Sequence, residues 1–124
     1  MFVDNSADSK VLDPDAIIDR VGGDAEFLQE LTGLFAEDSP KLLGQIRSAI
    51  AAGDPRGLEY AAHALKGSVA NFGAESARAA ALRLELLGRA GDLQPAPEAC
   101  AVLEQEIARF TDALEAFARK LNTL

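Results

Sequence analysis

Four stretches of this chain repeat apolar residues at steps of three and four, and breaks bearing glycine or proline separate them. That spacing gives a helix one buried face. Alanine and leucine dominate, β-branched residues are few, and no strand-like alternation stands out, which favours helix throughout. A chain that repeats this pattern over short turns has few folds open to it. The expectation is all-α: an antiparallel up-down four-helix bundle with an additional short N-terminal helix.

The breaks place the elements. Residues 1–11 are rich in Asp and Ser and read as a flexible N-terminal segment, leaving 12–124 as one helical domain. Asp13 is a candidate N-cap with Pro14 at the first helical position; Ile17, Ile18 and Val21 give a short apolar face, and Gly22-Gly23 ends it. Asp24 caps a second helix that runs to about Ala52. Its stripe is Phe27, Leu28, Leu31, Leu34, Phe35, Leu42, Leu43, Ile46 and Ile50. The phase survives Ser39-Pro40, so one long bent helix is expected there, although an interior proline weakens it. Gly53-Asp54-Pro55 breaks the chain and opens a third helix, which ends near Phe72-Gly73. Ala74 starts a fourth, through about Ala90, with Ala77, Ala80, Ala81, Leu84 and Leu87 inward. Pro95 and Pro97 read as breakers before a last helix from about Glu98 to Leu121, carrying Leu103, Ile107, Phe110, Leu114, Phe117 and Leu121.

Charge and composition narrow the function. With 124 residues and 48% of them hydrophobic, the chain suits one domain with a core. A net charge of −8 argues against nucleic acid and anionic membranes as partners, since both need a basic patch. One cysteine, Cys100, allows no internal disulfide, and no clustered Cys/His metal site is expected. The polar, acidic start does not read as a secretory signal, and no apolar run approaches a membrane span. A cytoplasmic monomer is the expectation. The acidic residues fall at polar phases and read as a solvated face without a paired, buried carboxylate set.

The chemistry centres on His63-Ala-Leu-Lys-Gly-Ser-Val-Ala-Asn-Phe-Gly-Ala74, which holds the only histidine. Leu58, Ala61, Ala62, Leu65, Val69 and Phe72 form the buried stripe of its helix. At about 100° per residue, His63 lies roughly 150° from the middle of that stripe and faces outward. Gly67, one turn on, costs about 1 kcal/mol relative to alanine in a helix. Close approach of a partner to the imidazole is a reason for it. Lys66 reaches the same space with a positive charge. An exposed imidazole is mostly neutral at physiological pH and is a nitrogen nucleophile. Together these features suit a site that carries a phosphoryl group.

The same stretch closely resembles the histidine phosphotransfer (HPt) domains of bacterial multistep phosphorelays. Their signature, His-x-Leu-Lys-Gly-Ser followed by Gly-Ala, matches His63, Leu65, Lys66, Gly67, Ser68, Gly73 and Ala74. A lone exposed histidine carries little signal; seven positions in register carry much more. The resemblance implies the four-helix bundle already expected, over about Leu12 to Leu121. It also implies that His63, through Nε2, accepts a phosphoryl group from a receiver-domain aspartate and passes it to another. Lys66 would offset the phosphate charge and Gly67 would give steric access. Glu59, Tyr60, Ala70 and Asn71 would form the docking rim. Ser68 and Asn71 are expected to bond locally, Phe72 to join the core, and Gly73 and Ala74 to shape the next turn and helix start. The chain lacks a phosphate-binding loop for ATP, so it reads as a phosphoryl carrier and not an autonomous enzyme. No cofactor is expected on this chain; Mg²⁺ and the acidic pocket would come with the receiver. Two other readings compete: a helical interaction module that is never phosphorylated, and a histidine-kinase dimerisation bundle. Ala64 after the histidine, where kinase bundles usually place an acidic residue, argues against the second.

Overall fold

The computed structural model describes residues 10–123. The expected flexible segment lies outside the described residues through position 9, whereas Val11 and Leu12 are buried at 6% exposure each. Five helices follow: α1 Pro14–Val21, α2 Ala25–Ala52, α3 Pro55–Ala70, α4 Glu75–Ala90 and α5 Ala96–Asn122. No strand occurs among the described residues.

The helix ends form where the local chemistry directs. Asp13, Asp24 and Asp54 all cap, their carboxylates accepting backbone N–H bonds from Asp15 and Ala16, from Phe27, and from Gly57. These bonds satisfy donors that have no partner inside the helix. Gly22, Gly53 and Gly91 close α1, α2 and α4 in the left-handed region, which favours glycine. α2 continues through Pro40 as one helix, as its stripe implies. The last helix starts earlier than the prolines suggest. Pro97 falls in the first turn of α5, where its missing N–H has no helical partner to lose, so it helps to start the helix.

Consecutive helices pack against each other, and α5 returns against α2, which is the packing order of an up-down-up-down bundle. Leu28, Ile46, Leu58, Leu65, Leu84, Leu103, Phe110 and Leu114 are fully buried between them. Each such side chain contributes about 1.5–3 kcal/mol of transfer free energy. Phe35, Phe72 and Phe110 meet with ring centroids 5.0–6.1 Å apart, Phe35 edge-on to both of the others. α1 does two things at once. It packs on α2, and the N–H of Asp13 donates to the Phe72 carbonyl at 3.1 Å. Gly73, at φ +65°, lies so close to Asp13 that a Cβ would stand 2.5 Å from that residue's Cβ. That explains the glycine in the turn after α3.

Part of the expected stripe is not buried. Ile18, Phe27 and Leu34 are 38%, 41% and 55% exposed. α2 and α5 have 28 and 27 residues against 16 in each of α3 and α4. At about 1.5 Å per residue the long helices therefore outrun the short pair by about 18 Å. Helix length does not expose Phe27 and Leu34, because Leu28 and Phe35 at the same level of α2 are buried at 0% and 5% exposure; each exposed residue lies about 100° round the helix from its buried neighbour, at the margin of the covered stripe.

Candidate phosphotransfer site

α3 places His63 outward, as its phase requires: the side chain is 66% exposed while Leu58, Ala61, Ala62, Leu65 and Val69 are buried beneath it. Gly67 has no atom within 4 Å of where a Cβ would stand, so the space one turn from the imidazole is open. Ser68 donates to the Ala64 carbonyl at 3.3 Å, and Phe72 is in the core. Asn71 is the C-cap of α3 and exposed, and Ala74 is the buried N-cap of α4. Ala70 is exposed, and Tyr60 stands out at 77% exposure. An open groove of about 590 Å³ runs beside His63, edged by Arg56, Glu59, Tyr60, Glu85 and Arg89.

The acidic residues correct the expectation of an entirely solvated set. Glu85, on α4, is buried at 3% exposure directly under the site. Its Oε2 lies 3.1 Å from His63 Nδ1 and accepts from Arg89 Nη2 at 2.8 Å. Its Oε1 lies 2.8 Å from Lys66 Nζ, an ion pair whose angles fall short of a hydrogen bond. Arg89 Nε in turn donates to Glu59 Oε2 at 2.9 Å. Lys66 is therefore tied down at 23% side-chain exposure, and Glu59 is paired across the helices.

Burial alone would push the Glu85 carboxyl above the usual carboxylate range. The Lys66 contact and then the His63 contact outweigh it, and the carboxyl lies below its ordinary value. Glu85 is thus ionised at neutral pH and can only accept hydrogen bonds. The ring nitrogen facing it must be the N–H. In the neutral ring that leaves Nε2 with its lone pair, exposed and pointing away from the carboxylate. Glu85 was detectable in principle. It lies four residues after Ala81 and three before Gly88, both buried, so it sits at the edge of the inward stripe. A carboxylate in that phase calls for basic partners.

Among the described residues, no group of three or more His, Cys, Asp or Glu side chains is placed to hold a metal ion. No helix of the described residues is long and apolar enough to cross a membrane.

Residues 30–118 match the family model of the Hpt domain. The chain belongs to the Hpt domain family. Hpt domains are phosphocarriers that interact with receiver domains in histidine phosphorelays, and this chain takes that function with the fold. The structure is also similar to the crystal structure of histidine-containing phosphotransfer protein B (HptB) from Pseudomonas aeruginosa PAO1. The two share 28% sequence identity with a TM-score of 0.74, over 91% of this chain and 96% of that one. No curated protein matches. The Hpt match spans α3 and α4 whole, and so includes His63, Lys66, Gly67 and Glu85.

Proposed function

We propose that His63 is the phosphorylated residue of this Hpt domain and that Nε2 is the atom that carries the phosphoryl group. The contact between the buried Glu85 carboxylate and His63 Nδ1 is the observation that carries the proposal. In the transfer, the Nε2 lone pair attacks phosphorus of a receiver aspartyl phosphate. The N–P bond forms as the P–O bond to the aspartate breaks, and the receiver carboxylate leaves with the electron pair. The ring keeps its proton on Nδ1 and gains positive charge. Glu85, 3.1 Å from Nδ1, stabilises that charge. Transfer to a second receiver aspartate runs the same steps in reverse.

Lys66 lies one turn from the phosphorylated ring and offsets part of the added negative charge. Because it already neutralises Glu85, its contribution is modest, on the order of 1 kcal/mol or less. Gly67 keeps the approach to Nε2 clear. Glu59, Tyr60, Ala70 and Asn71 border the receiver-docking surface. Tyr60 is an anchor at 77% exposure, and Glu59 works through its pair with Arg89. Mg²⁺ and the acidic phosphorylation pocket belong to the receiver. The chain has no kinase activity of its own. It works as a cytoplasmic monomer.

The ¹⁵N–³¹P couplings of the phosphorylated, ¹⁵N-labelled chain test the assignment. A coupling to Nε2 of His63 is expected. A coupling to Nδ1, or phosphate on another residue, would contradict it.

A further inference from the structure

We propose that Gly88 is a positioning residue for the phosphoacceptor: it sets the distance between α3 and α4 that holds Glu85 against His63. This inference rests on the assignment of His63 as phosphoacceptor.

Gly88 lies inside α4 with an ordinary helical conformation, so backbone freedom does not account for it. In a helix interior glycine is poorer than alanine. Space does account for it. A Cβ on Gly88 would stand 2.6 Å from Glu59 N, 2.7 Å from the Pro55 carbonyl oxygen and 3.0 Å from Glu59 Cα. All three are backbone atoms of the first two turns of α3, and they cannot swing aside as a side-chain tip can. The two helix backbones touch at this point.

The contact also fixes what meets one turn away. The helices run antiparallel, so a turn forward on α3 from Glu59 reaches His63, and a turn back on α4 from Gly88 reaches Glu85. Those two side chains meet at 3.1 Å, and Lys66 reaches the same carboxylate at 2.8 Å. Clearing a methyl group at position 88 from 2.6 Å to an ordinary contact separates the backbones by about 0.8 Å. Most of that added to 3.1 Å takes the His63–Glu85 contact beyond hydrogen-bonding range. Gly88 thereby acts on the proton position of His63 through Glu85, without touching the imidazole.

The experiment is a long-range ¹H–¹⁵N spectrum of the full chain, which reports the ring nitrogen that bears the proton. Wild type is expected to show the proton on Nδ1. Gly88→Ala is expected to shift it toward Nε2 and to slow phosphoryl acceptance about threefold to tenfold, the loss expected of one charge-assisted hydrogen bond at an exposed ring. The double variant Gly88→Ala/Glu85→Gln should shift the proton no further than Glu85→Gln alone. Leu114→Ala, a core truncation in α5, should lower thermal stability and leave the tautomer unchanged. A folded Gly88→Ala with the wild-type tautomer would overturn the proposal, as would an equal shift in Leu114→Ala. If Gly88→Ala does not fold, Glu85→Asp draws the carboxylate back by one methylene in an otherwise intact bundle. Retention of the wild-type tautomer there would overturn the proposal too. The spectrum is independent of phosphorylation, so a failed phosphoacceptor assignment and a failed role for Gly88 are told apart.

Discussion

Replacing Glu85 with glutamine keeps the shape of the side chain and removes its charge. The effect follows from its surroundings. The carboxylate is buried at 3% exposure and faces Lys66, His63 and Arg89. Hydrogen bonds to charged groups contribute about 1.5–3 kcal/mol each when both partners are buried. Here the imidazole is 66% exposed and rehydrates readily, while Lys66 at 23% does so less. The low end therefore applies, and Glu85→Gln should lower stability by about 1–2 kcal/mol, or about 4–8 °C in melting temperature. Transfer should slow by up to about tenfold, because a factor of ten corresponds to 1.4 kcal/mol and the bond to the ring contributes no more than that. The stability loss must also depend on pH. The folded-state carboxyl lies below its ordinary value of 4.5. Its stabilisation is thus fully present above about pH 4.5 and disappears as pH falls through the lower folded-state value. Thermal melts of wild type and Glu85→Gln should differ at neutral pH and converge on strong acidification. Equal melts at pH 7, with an unchanged transfer rate in stopped-time phosphorylation, would refute the reasoning about this carboxylate.

Other consequences are simpler. Gly67→Ala should stabilise α3 by about 1 kcal/mol, since nothing occupies the space its methyl would enter; Gly67→Gln should keep the circular dichroism spectrum and lose transfer. Normal transfer by Gly67→Gln would remove the steric role. Lys66→Ala should slow transfer without abolishing it; a folded variant with no transfer at all would show that the lysine does more than offset charge. Cys100 is 5% exposed, and burial first, then the nearby Glu104 charge, push its thiol above the ordinary value of 9.0, against a smaller opposing effect of Arg47. The native protein should therefore resist an aromatic disulfide reagent at pH 8 and react fully once unfolded; rapid native labelling would contradict the burial.

The helices were legible because each carries its own instructions. Aspartate caps, glycine stops and a 3–4 apolar rhythm act locally, and they predict α1 to α4 to within a few residues. The outward turn of His63 and the open space at Gly67 follow from the phase of a single helix. What was illegible depends on two helices at once. The phase of α4 marks Glu85 as an inward carboxylate, but its partners Lys66 and His63 are supplied by α3 and cannot be read from α4. Phe27 and Leu34 fit the 3–4 spacing but lie about 100° round α2 from the buried Leu28 and Phe35, and how wide a stripe the neighbouring helices cover is not written in α2 itself. Gly88 carries no message in the sequence beyond a weakened helix; its meaning lies in backbone atoms of Pro55 and Glu59 across the interface.

The most direct test of the central claim is transfer of radiolabel from phosphorylated receiver domains, presented as a panel with Mg²⁺, to the purified chain and to His63→Gln side by side. The account predicts acid-labile, alkali-stable label on the wild type from at least one receiver, and none on the variant. Label that persists on folded His63→Gln, or no label from a receiver shown to bind the chain, would contradict it.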